Sequence, residues 1–205
     1  MMAEMPLRDF FVWWDEINAK HVDDFACCLE SARVEQDLQG FLEANPMLLV
    51  QHLGGGHGRW VIPHKRLGAE HVTDFVLGER HSFGFDWQAV ELESPSVKMF
   101  TKNGDQSRHL THAIRQIQDW RAWLTRNQSY AARSAAESGL GLTDIRADVP
   151  GLVLIGRRET TDPATNDRRR QMCADLNIEI HTYDFLLDAG RGRIASLKEY
   201  FSRAR

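Results

Sequence analysis

Residues 152–156 read Leu-Val-Leu-Ile-Gly behind a further glycine at 151, a short run without a single polar side chain. Such a stretch has no face to offer water. It suits a strand covered on both sides, the central strand of an α/β domain. The chain must then supply helices for both faces, and the pattern provides them. Val34, Leu38, Phe41 and Leu42 fall at helical spacing within residues 31–44, which Asn45-Pro46 closes. Leu110, Ala113, Ile114, Ile117 and Leu124 mark a longer helix over 107–125. Residues 165–176 and 193–203 read as two more.

Further strands are expected at 59–63, where Pro63 signals an edge or an end, and at 178–183. Residues 71–77 and 86–93 flank a loop at 78–85, the signature of an antiparallel hairpin. The order α-β-β-β-α-β-α-β predicts a mixed sheet of about five strands flanked by helices. The 107–125 helix should lie on one face with the 31–44 helix nearby. A chain of 205 residues accommodates one such domain, taken as 31–205, and an N-terminal helical arm over 1–30. Phe10, Phe11, Trp13 and Trp14 make that arm apolar enough to pack on the body or on a second copy, and a homo-oligomer is expected.

Several functional classes drop out. No apolar run approaches the roughly 20 residues of a membrane helix. The first residues lack the basic-then-apolar pattern of a secretory leader. Cys27, Cys28 and Cys173 form no even framework and no CxxC pair, as expected of reduced thiols in a cytoplasm. Gly54-Gly55-Gly56-His57-Gly58 is followed by no GK[ST], so it reads as a turn rather than a phosphate cradle. Neither HExxH nor GxSxG is present. The net charge of −4 is not that of a nucleic-acid coat protein, yet carboxylates gathered for a metal would lower the total in the same way. Basic runs stand at Arg157-Arg158 and Arg168-Arg169-Arg170, with Arg191, Arg193, Arg203 and Arg205 towards the end. Each equally describes a solvated surface.

The hairpin carries the chemistry. Alternation sets Trp87, Ala89, Glu91 and Glu93 on one face, and Val72, Asp74 and Val76 on one face of the preceding strand. With the loop centred near 82–83, Asp74 falls opposite Glu91. Directly opposed acids destabilise a sheet. A divalent cation between them would remove the penalty, since Mg²⁺ takes one or two carboxylates plus waters and phosphate oxygens. Acids on a strand ordinarily just face water, and a slip of one residue would separate the pair.

These residues resemble a known pattern. Asp74, then Glu91 with a further position two residues on, matches the two acids of the PD-(D/E)XK nucleases. Phe41-Leu42-Glu43-Ala44-Asn45-Pro46, Arg66-Leu67-Gly68 and Asp74-Phe75-Val76-Leu77 are similar to the Shedu family of bacterial anti-phage defence proteins. So are Glu91-Leu92-Glu93-Ser94-Pro95, Phe100-Thr101-Lys102-Asn103-Gly104-Asp105, Gln116-Ile117-Gln118-Asp119-Trp120 and Thr182-Tyr183-Asp184. The resemblance runs from about residue 30 to 190. It implies a restriction-endonuclease-like fold, DNA as partner, and Mg²⁺ or Mn²⁺ held by Asp74, Glu91 and the Leu92 carbonyl. It also implies Glu35 as a helical acid and Gln116 as a helical amide near the site. Glu93 stands where the pattern has lysine, to ligate metal or assist a water, unless Lys98 or Lys102 swings in. The alternative is a degenerate nuclease-fold module that binds nucleic acid or a protein partner without cutting. His109, His112 and Gln116 share one helical ridge, more in keeping with phosphate contact or solvation than with zinc.

Overall fold

The computed structural model describes residues 7–54 and 57–203. Two single-turn 3₁₀ segments lead into α1 (Ala19–Ser31) and α2 (Glu35–Ala44). Then come β1 (Gly58–Pro63), the short pair β2 (Arg66–Leu67) and β3 (His71–Val72), and the hairpin of β4 (Phe75–His81) and β5 (Gly84–Leu92). The remainder is α3 (Arg108–Ala132), β6 (Gly151–Leu154), α4 (Pro163–Leu176), β7 (Ile178–His181) and α5 (Asp184–Arg203). Five strands form one mixed sheet in the order β1-β4-β5-β6-β7. The first three are antiparallel, and β5, β6 and β7 run parallel.

The glycine-bounded apolar run becomes β6, flanked by β5 and β7 and buried at every position. Its side chains feed two cores. Val153 joins Val76, Trp87, Ala89 and Ile180 against Leu110, Ile117, Trp120 and Trp123 of α3. Leu152 and Leu154 join Phe75, Leu77, Val90 and Leu92 beneath α1, α2 and α5. The sheet is thus the middle of three layers, and α2 covers the face opposite α3. At the β5–β6–β7 crossover the fit is close. A Cβ on Gly151 would lie 2.8 Å from Ile117 and 3.0 Å from Ile178.

Several boundaries differ from expectation. The strand expected over 71–77 is broken. Thr73 and Asp74 leave the strand geometry, and only 75–81 pair with β5. The main-chain bonds explain the break: Thr73 N–H donates to Lys65 and His64 N–H to Asp74, which turns the chain through β2 and β3. The expected helix at 31–44 begins at Glu35, and Val34 is its exposed N-cap rather than part of the apolar stripe. The last helix starts at Asp184, well before 193.

Val12, Ile17, Val22, Phe25 and Leu29 are buried with the sheet, so the N-terminal segment completes a core. Of its aromatics Trp13 is 63% exposed, while Trp14 lies beneath the guanidiniums of Arg59 and Arg193. Of the expected glycine turn, Gly55 and Gly56 lie outside the described residues.

Candidate active site

The site forms where β4 starts and β5 ends. His81 pairs with Gly84, so Ser82 and Phe83 are the turn, and Phe75 pairs with Val90 as the last partners of the ladder. One step outward, Asp74 comes beside Glu91. Its carboxylate turns into the gap left by the broken strand, and Oδ2 accepts the Leu92 N–H at 2.8 Å. The Leu92 carbonyl points to the same side of its strand, because N–H and C=O of one strand residue do so.

Glu91 is 3% exposed, and its Oε2 has no hydrogen-bond partner among the described residues. Burial, reinforced by the charges of Asp74, Glu35 and Glu93, pushes its carboxyl up to about 10. Burial likewise raises Asp74, against the opposing effect of the Leu92 N–H bond. An unpaired carboxylate in such surroundings is costly, so without a cation beside it Glu91 favours the protonated form.

Glu35 enters from the other layer. Ser94 and Ser96, just beyond β5, donate their hydroxyls to the Arg33 carbonyl at 3.1 and 3.3 Å. That seam brings the first residue of α2 to the β5 end. Burial and then the charges of Asp74 and Glu93 push Glu35 up to about 7, with His112 and His109 opposing. Asp74, Glu91, Glu35 and Glu93 therefore form one electrostatic cluster.

Glu93 is buried, but its oxygens are engaged. Oε2 receives His109 Nδ1 at 2.8 Å and Oε1 receives His112 Nδ1 at 3.1 Å. Its carbonyl accepts the hydroxyl of the fully buried Tyr183 at 2.8 Å. Among the described residues no three His, Cys, Asp or Glu side chains are drawn together around a single point able to hold a metal ion. Both oxygens of Glu93 are taken by the histidines of α3. What fits a hard divalent cation is a smaller set: Asp74, Glu91 with its unsatisfied oxygen, and the Leu92 carbonyl. Two carboxylates with waters and phosphate oxygens are the usual complement of Mg²⁺.

Residues 32–187 match the family model described as Shedu protein SduA, C-terminal. The chain belongs to that family. No curated protein matches it. In this Shedu chain the matched span contains Glu35, Asp74, Glu91, Glu93 and Gln116 as well as both histidines.

Other expected groups stand apart. Gln116 lies on α3 one turn beyond His112, half-buried, and among the described residues no hydrogen bond ties its side chain to the acids. Lys98 and Lys102 line a groove of about 260 Å³ with Phe100, Asp162 and Arg168. Neither forms an ion pair with Asp74, Glu91 or Glu35 among the described residues. Of the arginine runs, Arg157 and Arg193 are engaged in the fold, while Arg158 and Arg170 make exposed pairs and Arg168, Arg191 and Arg203 are exposed. Arg157 reaches Asp184 and the Leu29 carbonyl, Arg158 pairs with Asp188, and Arg170 pairs with Asp167. Arg193 binds the Gln51 and Leu53 carbonyls, while Arg205 lies outside the described residues. No helix among the described residues is long and apolar enough to cross a membrane.

Two contributors escape a reading by sequence. Tyr183 belongs to the Thr182-Tyr183-Asp184 phrase, but nothing in its spacing points to the Glu93 carbonyl. The ridge of His109 and His112 is visible in the sequence; its carboxylate partner, many residues away on β5's extension, is not.

Proposed function

We propose that this Shedu chain is a divalent-metal-dependent DNA endonuclease of the PD-(D/E)XK, restriction-endonuclease-like type, acting in anti-phage defence. The observation that carries the reading is Glu91, a nearly fully buried acid with an orphan oxygen, set against Asp74 and Glu35. Natural folds rarely keep buried polar atoms without partners, and those that persist call for a bound ion or a catalytic role. Membership of the Shedu family supports the defence role, and the mixed sheet with its acid-bearing hairpin supports the fold assignment.

Asp74, Glu91 and the Leu92 carbonyl would hold Mg²⁺ or Mn²⁺, which when bound polarises a phosphodiester and lowers the pKa of a water. The protein's own part is positional. The Leu92 N–H fixes Asp74, the rigid β4–β5 ladder sets Glu91 beside it, and Glu35 closes the far side from α2. Assays on linear, circular and single-stranded DNA with and without Mg²⁺ or Mn²⁺ test the reading. Metal-dependent cleavage that Asp74→Asn and Glu91→Gln abolish supports it; cleavage unchanged in Asp74→Asn refutes it.

A second reading has one observation in its favour. Among the described residues no lysine pairs with the acids, and Glu93 occupies the lysine position of the nuclease pattern. In that case the fold is a binding module without cleavage, and Mg²⁺ or Mn²⁺ leaves the melting temperature unchanged.

A further inference from the structure

Beyond Asp74, Glu91 and Glu35, the cluster contains two imidazoles held on one carboxylate. His109 and His112 lie in the first turns of α3, three residues apart, so their side chains sit one above the other. Each turns its Nδ1 to a separate oxygen of Glu93, at 2.8 and 3.1 Å. Carboxylate oxygens accept, so both Nδ1 atoms carry the proton. In the neutral ring this leaves Nε2 as a bare acceptor, the tautomer that a carboxylate enforces on a catalytic histidine. No partner occupies either Nε2 among the described residues, and the rings keep 35% and 62% side-chain exposure above a Glu93 that is only 6% exposed. Glu93 follows Glu91 by two residues, and both rings also act on the charge of Glu35, so the pair stands within electrostatic reach of the acid cluster.

Resting on the nuclease reading above, we propose that the His109/His112 pair is the proton acceptor of the site and that Glu93 is its positioning residue. In the step, a water oxygen bonds to phosphorus and passes its proton to an Nε2. The bond from phosphorus to the leaving sugar oxygen breaks, and that oxygen takes a proton from solvent. Glu93 keeps its negative charge throughout and stabilises the imidazolium that forms.

The experiment compares wild type, His109→Ala, His112→Ala, the double variant, Glu93→Gln and Asp74→Asn in Mg²⁺ or Mn²⁺, with and without added imidazole. Because the rings are exposed, free imidazole can enter the space that an alanine leaves. The double variant should lose ~10²–10³-fold in kcat, the usual scale of general acid–base catalysis, with KM changed only a few-fold. Imidazole should restore at least about tenfold of that loss, and should do nothing for wild type or Asp74→Asn. Glu93→Gln, which retains both rings, should lose kcat without rescue. Metal-induced rises in melting temperature should persist in the histidine variants, which separates proton transfer from metal binding and from misfolding; His→Gln versions serve if an alanine variant does not fold. A double variant with wild-type kcat, or a loss that imidazole leaves untouched in a folded, metal-responsive protein, overturns the proposal alone. Wild-type protein that cleaves no DNA with either metal overturns the nuclease reading and this proposal with it.

Discussion

Glu91→Gln offers the most direct measure of what the acid cluster costs an apo chain. The carboxyl is ordinary in the unfolded chain, near 4.5, and is held up to about 10 in the fold by burial and by Asp74, Glu35 and Glu93. The sign follows from which state binds the proton more tightly. Below pH 4.5 both states are protonated and Glu91 has no effect on stability. As pH rises beyond that, the unfolded chain releases its proton while the folded chain keeps it, so unfolding gains about 1.4 kcal/mol per pH unit. The penalty grows until the folded carboxyl itself ionises, near pH 10. At pH 8 a rigid site would therefore lose about 5 kcal/mol, and local opening that admits water reduces this to roughly 2–3 kcal/mol. Glutamine has a similar shape and never ionises. In EDTA, Glu91→Gln should match wild type near pH 5 and exceed it at pH 8 by about 5–10 °C in melting temperature, at ~2–4 °C per kcal/mol for a chain of this size. Saturating Mg²⁺ or Mn²⁺ should then raise wild type and leave the variant unmoved, since only the folded carboxylate binds the ion. Thermal melts of both proteins across pH 5–9, with EDTA and with metal, provide the assay. Parallel curves for the two proteins in EDTA would refute the buried, unpaired carboxyl on which the site rests.

Other expectations are simpler. Asp74→Asn should abolish metal-dependent cleavage yet keep the apo fold within about 1 kcal/mol, because the amide oxygen can still accept the Leu92 N–H, as equilibrium unfolding will measure. Tyr183→Phe removes one buried hydrogen bond to the Glu93 carbonyl and should cost about 1–2 kcal/mol in urea unfolding. Gly151→Ala should cost about 1–3 kcal/mol by overpacking, since the new methyl meets Ile117 and Ile178 at the crossover. If the chain self-associates through its N-terminal segment, exposed Trp13 is the side chain to remove, and Trp13→Ala should lower the mass seen by light scattering at micromolar protein.

The layered α/β class was legible in the chain itself, for a physical reason. The 152–156 run cannot be solvated on either face, and the apolar stripe of 107–125 matches a 3.6-residue period, so central strand and covering helix are dictated locally. The Asp74–Glu91 pairing was nearly legible too. Strand alternation and a loop centred near 82–83 set Asp74 opposite Glu91, although the loop expected over 78–85 proves to be a turn of only Ser82 and Phe83, with both strands running further towards it than the sequence suggested. What only the tertiary structure decided is the occupancy of each carboxylate. Glu93 is two residues from Glu91 and reads as an equal member of a metal-binding trio, but α3 crosses the sheet so that His109 and His112 claim both of its oxygens. Glu35 looks like any first-turn helix acid until two serine hydroxyls from beyond β5 fasten the α2 entry to the site. Of the arginines that suggest a nucleic-acid surface, Arg157 and Arg193 turn inward to Asp184 and to loop carbonyls, while Arg158, Arg168, Arg170 and Arg191 stay exposed. Periodicity records which face a side chain takes; which partner it meets there depends on how elements far apart in sequence cross, and that is set by the packing of the two cores.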